Sequence, residues 1–247
     1  MPATPAWPPR SLPRLFVRQA LSEGVHVELD PKQANYLGKV MRLGEGTELL
    51  IFDGQSGEWL ARIAEASKRR MTLSVQRRTR EAEIIPDVWL GFAPVKRSQT
   101  DWLVEKTTEL GAARLIPVMT HRTVAERVKL ERLDAIAIEA AEQCGRTRLP
   151  EIIEPVQLAG FLRSRDPERT LYFADEAGGE PVAEAVKTGA ALILIGPEGG
   201  FTDDERALIR GSINAVPISL GPRILRAETA ALAALSAFMA IAGDWRN

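Results

Sequence analysis

The chain of 247 residues is 45% hydrophobic and 26% charged, a balance that excludes a disordered chain and leaves room for one large or two modest domains. Its single cysteine, Cys144, excludes an intramolecular disulfide and fits a reducing compartment. The net charge of −1 is unevenly spread: residues 1–80 hold 13 Lys and Arg against 8 Asp and Glu, the remainder 19 against 25, so a polyanion is the natural partner of the first third.

The proline-rich start, MPATPAWPPRSLPR, lacks the apolar core of a signal peptide, and its first dozen residues read as a mobile arm. The longest apolar-rich helix candidate, residues 227–242, is interrupted by Glu228, Thr229 and Ser236 and is too short for a bilayer. The expectation is a soluble, cytoplasmic protein with no membrane partner.

Short apolar or alternating runs then predict strands at 14–17 (RLFV), 25–29 (VHVEL), 47–53 (TELLIFD), 58–66 (EWLARIAEA) and 71–77 (MTLSVQR). DGQSG makes the third and fourth a hairpin. Asp30 as cap and Pro31 in the first turn predict a helix over KQANYLGKVMR. A small barrel carrying one short helix follows.

Beyond the connector RTREAEIIP, residues 78–86, the pattern alternates. Strands are predicted at 88–93, 114–119, 170–174, 191–195 and 215–220, and helices at about 98–110, 129–144, 182–187, 203–210 and 226–242. Ser98 with Asp101, and Thr202 with Glu205, read as capping boxes, while Gly111 and Gly145 close helices. The alternation predicts an α/β domain on a mostly parallel sheet.

Two stretches carry chemistry. LILIGPEGGFTDDE (192–205) and PISLGPRILRAETAALAAL (217–235) each run from an apolar strand through Gly-Pro into a helix. GPEGG matches neither glycine-rich phosphate motif and has no lysine. Glu198 at its centre, with Asp203 and Asp204 opening the next helix, would repel a pyrophosphate. An acidic glycine loop suits a ligand with positive charge or N–H donors, and S-adenosylmethionine, with its sulfonium, ammonium and adenine amine, is one. Alone, GPEGG is as well explained as a tight turn. Two adjacent strands both ending in Gly-Pro would present backbone groups side by side without side chains in the way, and that doubling favours a cofactor pocket. No His, Cys and Asp cluster has metal-ligand spacing, so no metal is expected.

Together the two stretches resemble the paired C-terminal motifs of the RsmE family, methyltransferases of the SPOUT (trefoil-knot) superfamily that act on N3 of a uridine in small-subunit 16S rRNA. VEKTTELG (104–111), IPVMTHRTV (116–124), EAAEQCGRTRLPEI (139–152) and YLGKVMRLGEG with the following FDG extend the resemblance, in order, over nearly the whole chain. This chain has NYLGKVMR where a histidine often precedes the leucine-arginine pair. The resemblance implies a PUA-like RNA-binding β-barrel domain over residues 1–80 and a SPOUT trefoil-knotted α/β methyltransferase domain over 81–247. It also implies a homodimer, S-adenosyl-L-methionine as cofactor, and the small ribosomal subunit as partner, with uridine 1498 of its RNA as target.

For the cofactor, the resemblance points to Met119 and Thr120, then to Ile195, Gly196, Pro197, Glu198, Gly199 and Gly200 in the first loop. From the second stretch it points to Leu220, Gly221, Ile224, Leu225, Arg226 and Thr229. Methyl transfer to N3 needs its proton removed, and a guanidinium would stabilise the charge that spreads onto O2 and O4. Arg226 is the candidate for that role, against the blander alternative of a helix-end arginine paired with Glu228 or solvent. Glu198 or Glu228 would accept the proton, or would instead anchor a loop or the cofactor's ammonium. Cys144 reads as a small buried residue, since methylating nitrogen needs no thiol adduct; His121 reads as a neighbour of the pocket at most.

For RNA, KRRMTLSVQRRTR places Lys68, Arg69, Arg70, Arg77 and Arg78 around one strand, and Arg10, Arg14, Arg18, Lys39 and Arg42 lie in the same third. Arg146 and Arg148 would extend the track. Two other readings stay open: a ribose 2′-O methyltransferase of the same superfamily, and a non-catalytic RNA-binding assembly factor, which would have no need of both Gly-Pro motifs.

Overall fold

A computed structural model describes residues 12–67, 70–124 and 127–246. The expected arm, and the expected RNA contacts at Arg10, Lys68 and Arg69, lie outside the described residues. The chain divides into two units: the first runs to Ile84 and includes Ala141–Leu149, and the second holds Ile85–Ala140 and everything from Pro150 on.

In the first unit β1 (Arg14–Phe16), β2 (His26–Glu28), β3 (Glu48–Phe52), β4 (Glu58–Ala66) and β5 (Met71–Arg80) form a sheet in the order β1-β3-β4-β5-β2. Only the β1–β3 pair is parallel, and β3 and β4 form the expected hairpin, with Phe52 opposite Glu58. β1 and β2 share a core rather than a ladder: Leu15 and Val17 pack in one cluster with Val27, Leu29, Leu49, Ile51 and Leu73. The helix between β2 and β3 begins as expected, since Asp30 accepts from the backbone N–H of Lys32 and Gln33. It is shorter than expected as an α-helix: α1 (Pro31–Asn35) widens into a π-turn over Tyr36–Val40, closed by Met41 N–H donating to the Tyr36 carbonyl at 3.0 Å. Asp53 of FDG accepts from the backbone of Leu21, Gln55 and Ser56. Burial alone would raise its pKa; these hydrogen bonds outweigh that and hold the carboxyl below its ordinary range.

In the second unit every strand pairing is parallel. The elements are β6 (Val88–Phe92), α2 (Arg97–Glu109), β7 (Arg114–Met119), α3 (Leu130–Cys144, whose last turn from Ala141 belongs to the first unit), β8 (Glu151–Ile152), β9 (Val156–Gln157), α4 (Leu158–Ser164), β10 (Thr170–Ala174), β11 (Glu180–Pro181), α5 (Val182–Ala185), β12 (Ala191–Ile195), α6 (Asp203–Arg210), β13 (Ala215–Ser219) and α7 (Ala227–Ile241). The sheet order is β11-β13-β10-β12-β6-β7-β8, with β9 beside β7. Side chains alternate between two cores. Val88, Leu90, Phe92, Ile193 and Ile195 meet α2, α3, α5 and α7, whereas Ile116, Val118, Leu171, Phe173, Leu192 and Leu194 meet α4 and α6. Covering both faces leaves all five residues of β12 buried, as parallel strands require.

Two further expectations change. Ser98 does not cap α2, because the helix starts a residue earlier from Lys96, whose side chain makes no cap bond. β12 and β13 are not neighbours: β10 lies between them, paired with β12 on one side and β13 on the other. Its residues Leu171–Phe173 are buried on both faces, which suits an interior strand of a covered sheet.

Candidate active site

The ends of β10, β12 and β13 build a cavity of about 680 Å3, at the carboxyl edge where parallel sheets bind ligands. After β12 the chain turns through GPEGG, with Gly200 at φ +66°, and enters α6 through the Thr202–Glu205 capping box. After β13 it turns through LGPRIL, with Gly221 at φ +105°, and enters α7 from Arg226 at the cap. Glycine is required where the turn is tightest. A Cβ on Gly200 would lie 2.5 Å from a Glu176 carboxylate oxygen, and one on Gly196 would lie 3.0 Å from the Phe201 ring.

Of the residues singled out in the sequence, Ile195, Gly196, Pro197, Glu198, Gly200, Leu220, Gly221, Ile224, Leu225 and Arg226 line this cavity. Met119, Thr120, Gly199, Glu228 and Thr229 do not. Thr120 is turned to Thr123, hydroxyl to hydroxyl at 2.9 Å; the Gly199 carbonyl accepts from Arg122 at 2.5 Å; Thr229 is exposed in the first turn of α7. His121 is exposed and its backbone N–H donates to Glu205. Cys144 is half-buried at the end of α3.

Arg226 is exposed, lines the cavity, and makes no ion pair among the described residues, so the pairing with Glu228 does not occur. Glu228 turns instead to Gln99 on α2. The Gln99 amide Nε2 donates to Glu228 Oε1 at 3.3 Å and to Glu198 Oε1 at 3.4 Å. The other oxygens of this cluster, Gln99 Oε1 and Glu228 Oε2, are buried without any partner. Buried acceptors of this kind are ordinarily satisfied, and these two stand behind the cavity, since neither Gln99 nor Glu228 lines it.

Because β10 lies between the two Gly-Pro strands, its own end forms the wall between their loops: Ala174, Asp175, Glu176 and Gly178 line the cavity, as does Arg206 of α6. The Asp175 carboxylate accepts from Arg206 Nε (3.1 Å), from Arg210 Nε and Nη2 (3.1 and 2.7 Å) and from the Ala177 N–H (3.0 Å). Sequence reading missed this wall and Gln99. The signal was present for the wall, since FADEAGG repeats the strand, acid and glycine order of IGPEGG. Nothing in KRSQTDW marks Gln99.

In the first unit, two of the expected RNA contacts are buried. Arg14, 5% exposed, binds Glu58 at 2.8 Å and donates to the carbonyls of Ala141, Glu142 and Arg146. Arg146 is buried against Glu83. Both guanidiniums are committed inside the unit, which removes them from an RNA-facing surface. Arg18, Lys39, Arg42, Arg70, Arg77, Arg78 and Arg148 are exposed; Arg70 pairs with Glu28, Arg78 with Glu81, and Arg148 donates to the Glu83 carbonyl. Among the described residues, no group of acidic, histidine and cysteine side chains is placed to hold a metal, and no helix is long and apolar enough to cross a membrane.

Known proteins share this architecture. The RNA methyltransferase domain family matches residues 82–239, and the RNA methyltransferase PUA domain matches residues 29–76. Ribosomal RNA small subunit methyltransferase E of Rickettsia conorii is 30% identical over 229 residues, 90% of this chain and 93% of the relative. The protein of the same name from Synechocystis is 33% identical over 87% of this chain and 73% of its own length. Among solved structures, the Neisseria gonorrhoeae ribosomal RNA small subunit methyltransferase E bound to S-adenosyl methionine superposes with a TM-score of 0.88 at 26% identity, covering 95% of this chain and 99% of that one. A methyltransferase from Legionella pneumophila in complex with the same cofactor gives 0.85 at 30% identity, covering 94% and 99%.

Proposed function

This chain belongs to the ribosomal RNA small subunit methyltransferase E family, and from that premise we propose that it methylates N3 of uridine 1498 in small-subunit 16S rRNA. The observation that carries this reading is the cavity itself, lined by two glycine turns, an arginine without an ion pair among the described residues, and the exposed carboxylate of Glu198. S-adenosylmethionine, when bound, supplies the methyl group. The residues present fit it. Gly196, Gly200 and Gly221 leave backbone groups open to an adenosine, and Glu176 and Glu198 offer acceptors to ribose hydroxyls and to an ammonium.

The chain's own residues then have separable tasks. Glu198, which lines the cavity, or Glu228, held at one oxygen by Gln99, accepts the N3 proton of the uracil. Arg226 balances the charge left on the flanking oxygens; with no carboxylate partner, its guanidinium is available without a competing ion pair. Gln99 also reaches Glu198, so both candidate proton acceptors are held by one amide. In the first unit, Arg18, Lys39, Arg42, Arg70, Arg77 and Arg78 supply the exposed charge for RNA backbone contacts, together with Arg148.

The reading extends to a homodimer in the cytoplasm, acting on the assembled small subunit, with the last segment of the chain threaded through an earlier loop as the resemblance implies. The half-buried, uncharged side of α7, with Leu232, Ala233, Ser236 and Ala237, supports a second copy as neighbour. The test is methylation of small ribosomal subunits that lack the modification, followed by mass spectrometry of the released nucleosides. 3-Methyluridine is expected. A ribose-methylated product would overturn the assignment to N3, and cofactor binding without transfer would overturn the enzymatic reading.

A further inference from the structure

A second hollow, of about 320 Å3, lies in the same unit beside the starts of α2 and α3. Its floor is apolar: Pro94, Val95 and Leu133 are buried there. Its rim carries five exposed cations, Lys96, Arg97, Arg127, Lys129 and Arg132, and one carboxylate. That carboxylate, Asp101, is occupied by Arg132, whose Nε and Nη2 donate to it at 2.6 to 3.0 Å. The other four cations make no ion pair among the described residues. Surface charges are ordinarily interspersed by sign, and four unmatched cations around one hollow leave it strongly anion-seeking.

The hollow has no rigid donor set of its own. The Thr100 hydroxyl, the buried polar group in its lining, is engaged with the Val95 backbone, accepting from its N–H and donating to its carbonyl, both at 3.1 Å. Long, mobile cations without a shaped donor array recognise a charge and not a particular molecule, as in contacts to a nucleic-acid backbone. Its position adds the second half of the argument. Lys96 and Gln99 share the first turn of α2, with Gln99 N–H donating to the Lys96 carbonyl at 2.9 Å. One turn rises about 5.4 Å, so Lys96, at the rim of the hollow, starts within one turn of the residue whose amide orders Glu198 and Glu228.

We propose that this hollow holds a backbone phosphate of the RNA strand next to the target nucleotide, fixing the strand while the base enters the cavity. The proposal rests on the reading of the chain as an RNA methyltransferase and adds a site to it. The chain would thus grip RNA in the methyltransferase unit as well as through the basic first third.

The test compares Lys96→Gln/Lys129→Gln with a control losing the same two charges elsewhere in the unit, Arg163→Gln/Lys187→Gln, both positions being exposed. Affinity for small ribosomal subunits lacking the modification is measured by filter binding across a salt series, with cofactor affinity and oligomeric mass measured alongside. The slope of log affinity against log salt should flatten by about 0.7 for each single-strand phosphate that is no longer neutralised, in the hollow variant only, with cofactor binding and mass unchanged. Equal flattening in the control, or none in either, would overturn the site. A changed mass in the hollow variant alone would also overturn it and make the hollow an interface between copies. If the unsubstituted protein fails to bind subunits at all, the rRNA reading falls and the site with it; if it binds and the slopes coincide, only the site falls.

Discussion

Asp175→Asn isolates the wall that β10 contributes to the cavity. The carboxylate is 1% exposed and accepts four hydrogen bonds, three of them from Arg206 and Arg210. Asparagine keeps the shape. Its one oxygen can still serve Arg206 and Ala177, but its amide N–H2 then faces the Arg210 guanidinium, donor against donor. Breaking a fully buried pair costs about 3–5 kcal/mol. Arg210 is 43% exposed and can turn to water, so the expected loss is smaller, about 2 kcal/mol. For a unit of this size that is a fall of about 4–8 °C in melting temperature. The same melts with saturating S-adenosylmethionine carry the functional half. A ligand at 100 times its Kd adds about 2.7 kcal/mol, and a substituted wall that no longer holds Arg206 in place should shrink that gain. A variant melting within about 1 °C of the parent, with an equal cofactor-induced gain, would show that the Asp175 network bears on neither the wall nor the pocket.

Arg226→Ala should lower turnover about 100-fold while leaving cofactor affinity nearly intact; parallel losses in turnover and affinity would make it a binding residue. Glu58, buried between Arg14 and Arg80, titrates below its ordinary value: burial raises its pKa, but the hydrogen bonds and charges of Arg80 and Arg14 outweigh it. Its contribution is therefore complete above pH 4.5 and fades as pH falls through the depressed value. Denaturation midpoints of the parent and of Glu58→Gln should differ at neutral pH and converge in acid, and a gap that stays constant with pH would refute the ion-pair account. Gly57→Ala combines a φ of +96° with a Cβ placed 2.2 Å from the Arg80 carbonyl, whereas Gly24→Ala, at φ +80°, meets open space. Gly24→Ala should cost about 1 kcal/mol by chemical denaturation and Gly57→Ala clearly more; equal costs would mean that the crowding is relieved by backbone movement.

Local features were legible in the sequence where a residue's own chemistry decides them. The strand at 58–66, the helix at 203–210 and its Thr202 cap fall where spacing and capping place them. So do the two glycine turns, because the positive φ at Gly200 and Gly221 is a conformation glycine adopts without strain. What eluded sequence reading was decided by partners far along the chain. That β10 separates β12 from β13 depends on which apolar strand is inserted between the other two, and three similarly apolar strands give no order. Gln99 enters the site through hydrogen bonds to residues 99 and 129 positions away. Arg14 looks like any other cation of a basic stretch until Glu58 and three carbonyls near residue 144 enclose it. Two-residue strands such as β8 and β11 carry too short a pattern to register at all.

The carbonyls that receive Arg14, and the Gly145 carbonyl that receives Arg80, come from Ala141–Leu149, which belongs to the first unit. During synthesis this has a consequence in time. When residue 84 has left the ribosome the strands of the first unit are all present, yet Arg14 and Arg80 still lack their last acceptors. At translation speeds of about 5–20 residues per second, several seconds pass before the missing nine residues emerge. The basic third of the protein therefore completes its fold only after more than half the chain has been made, and a fragment cut after residue 84 would stay at that unfinished stage.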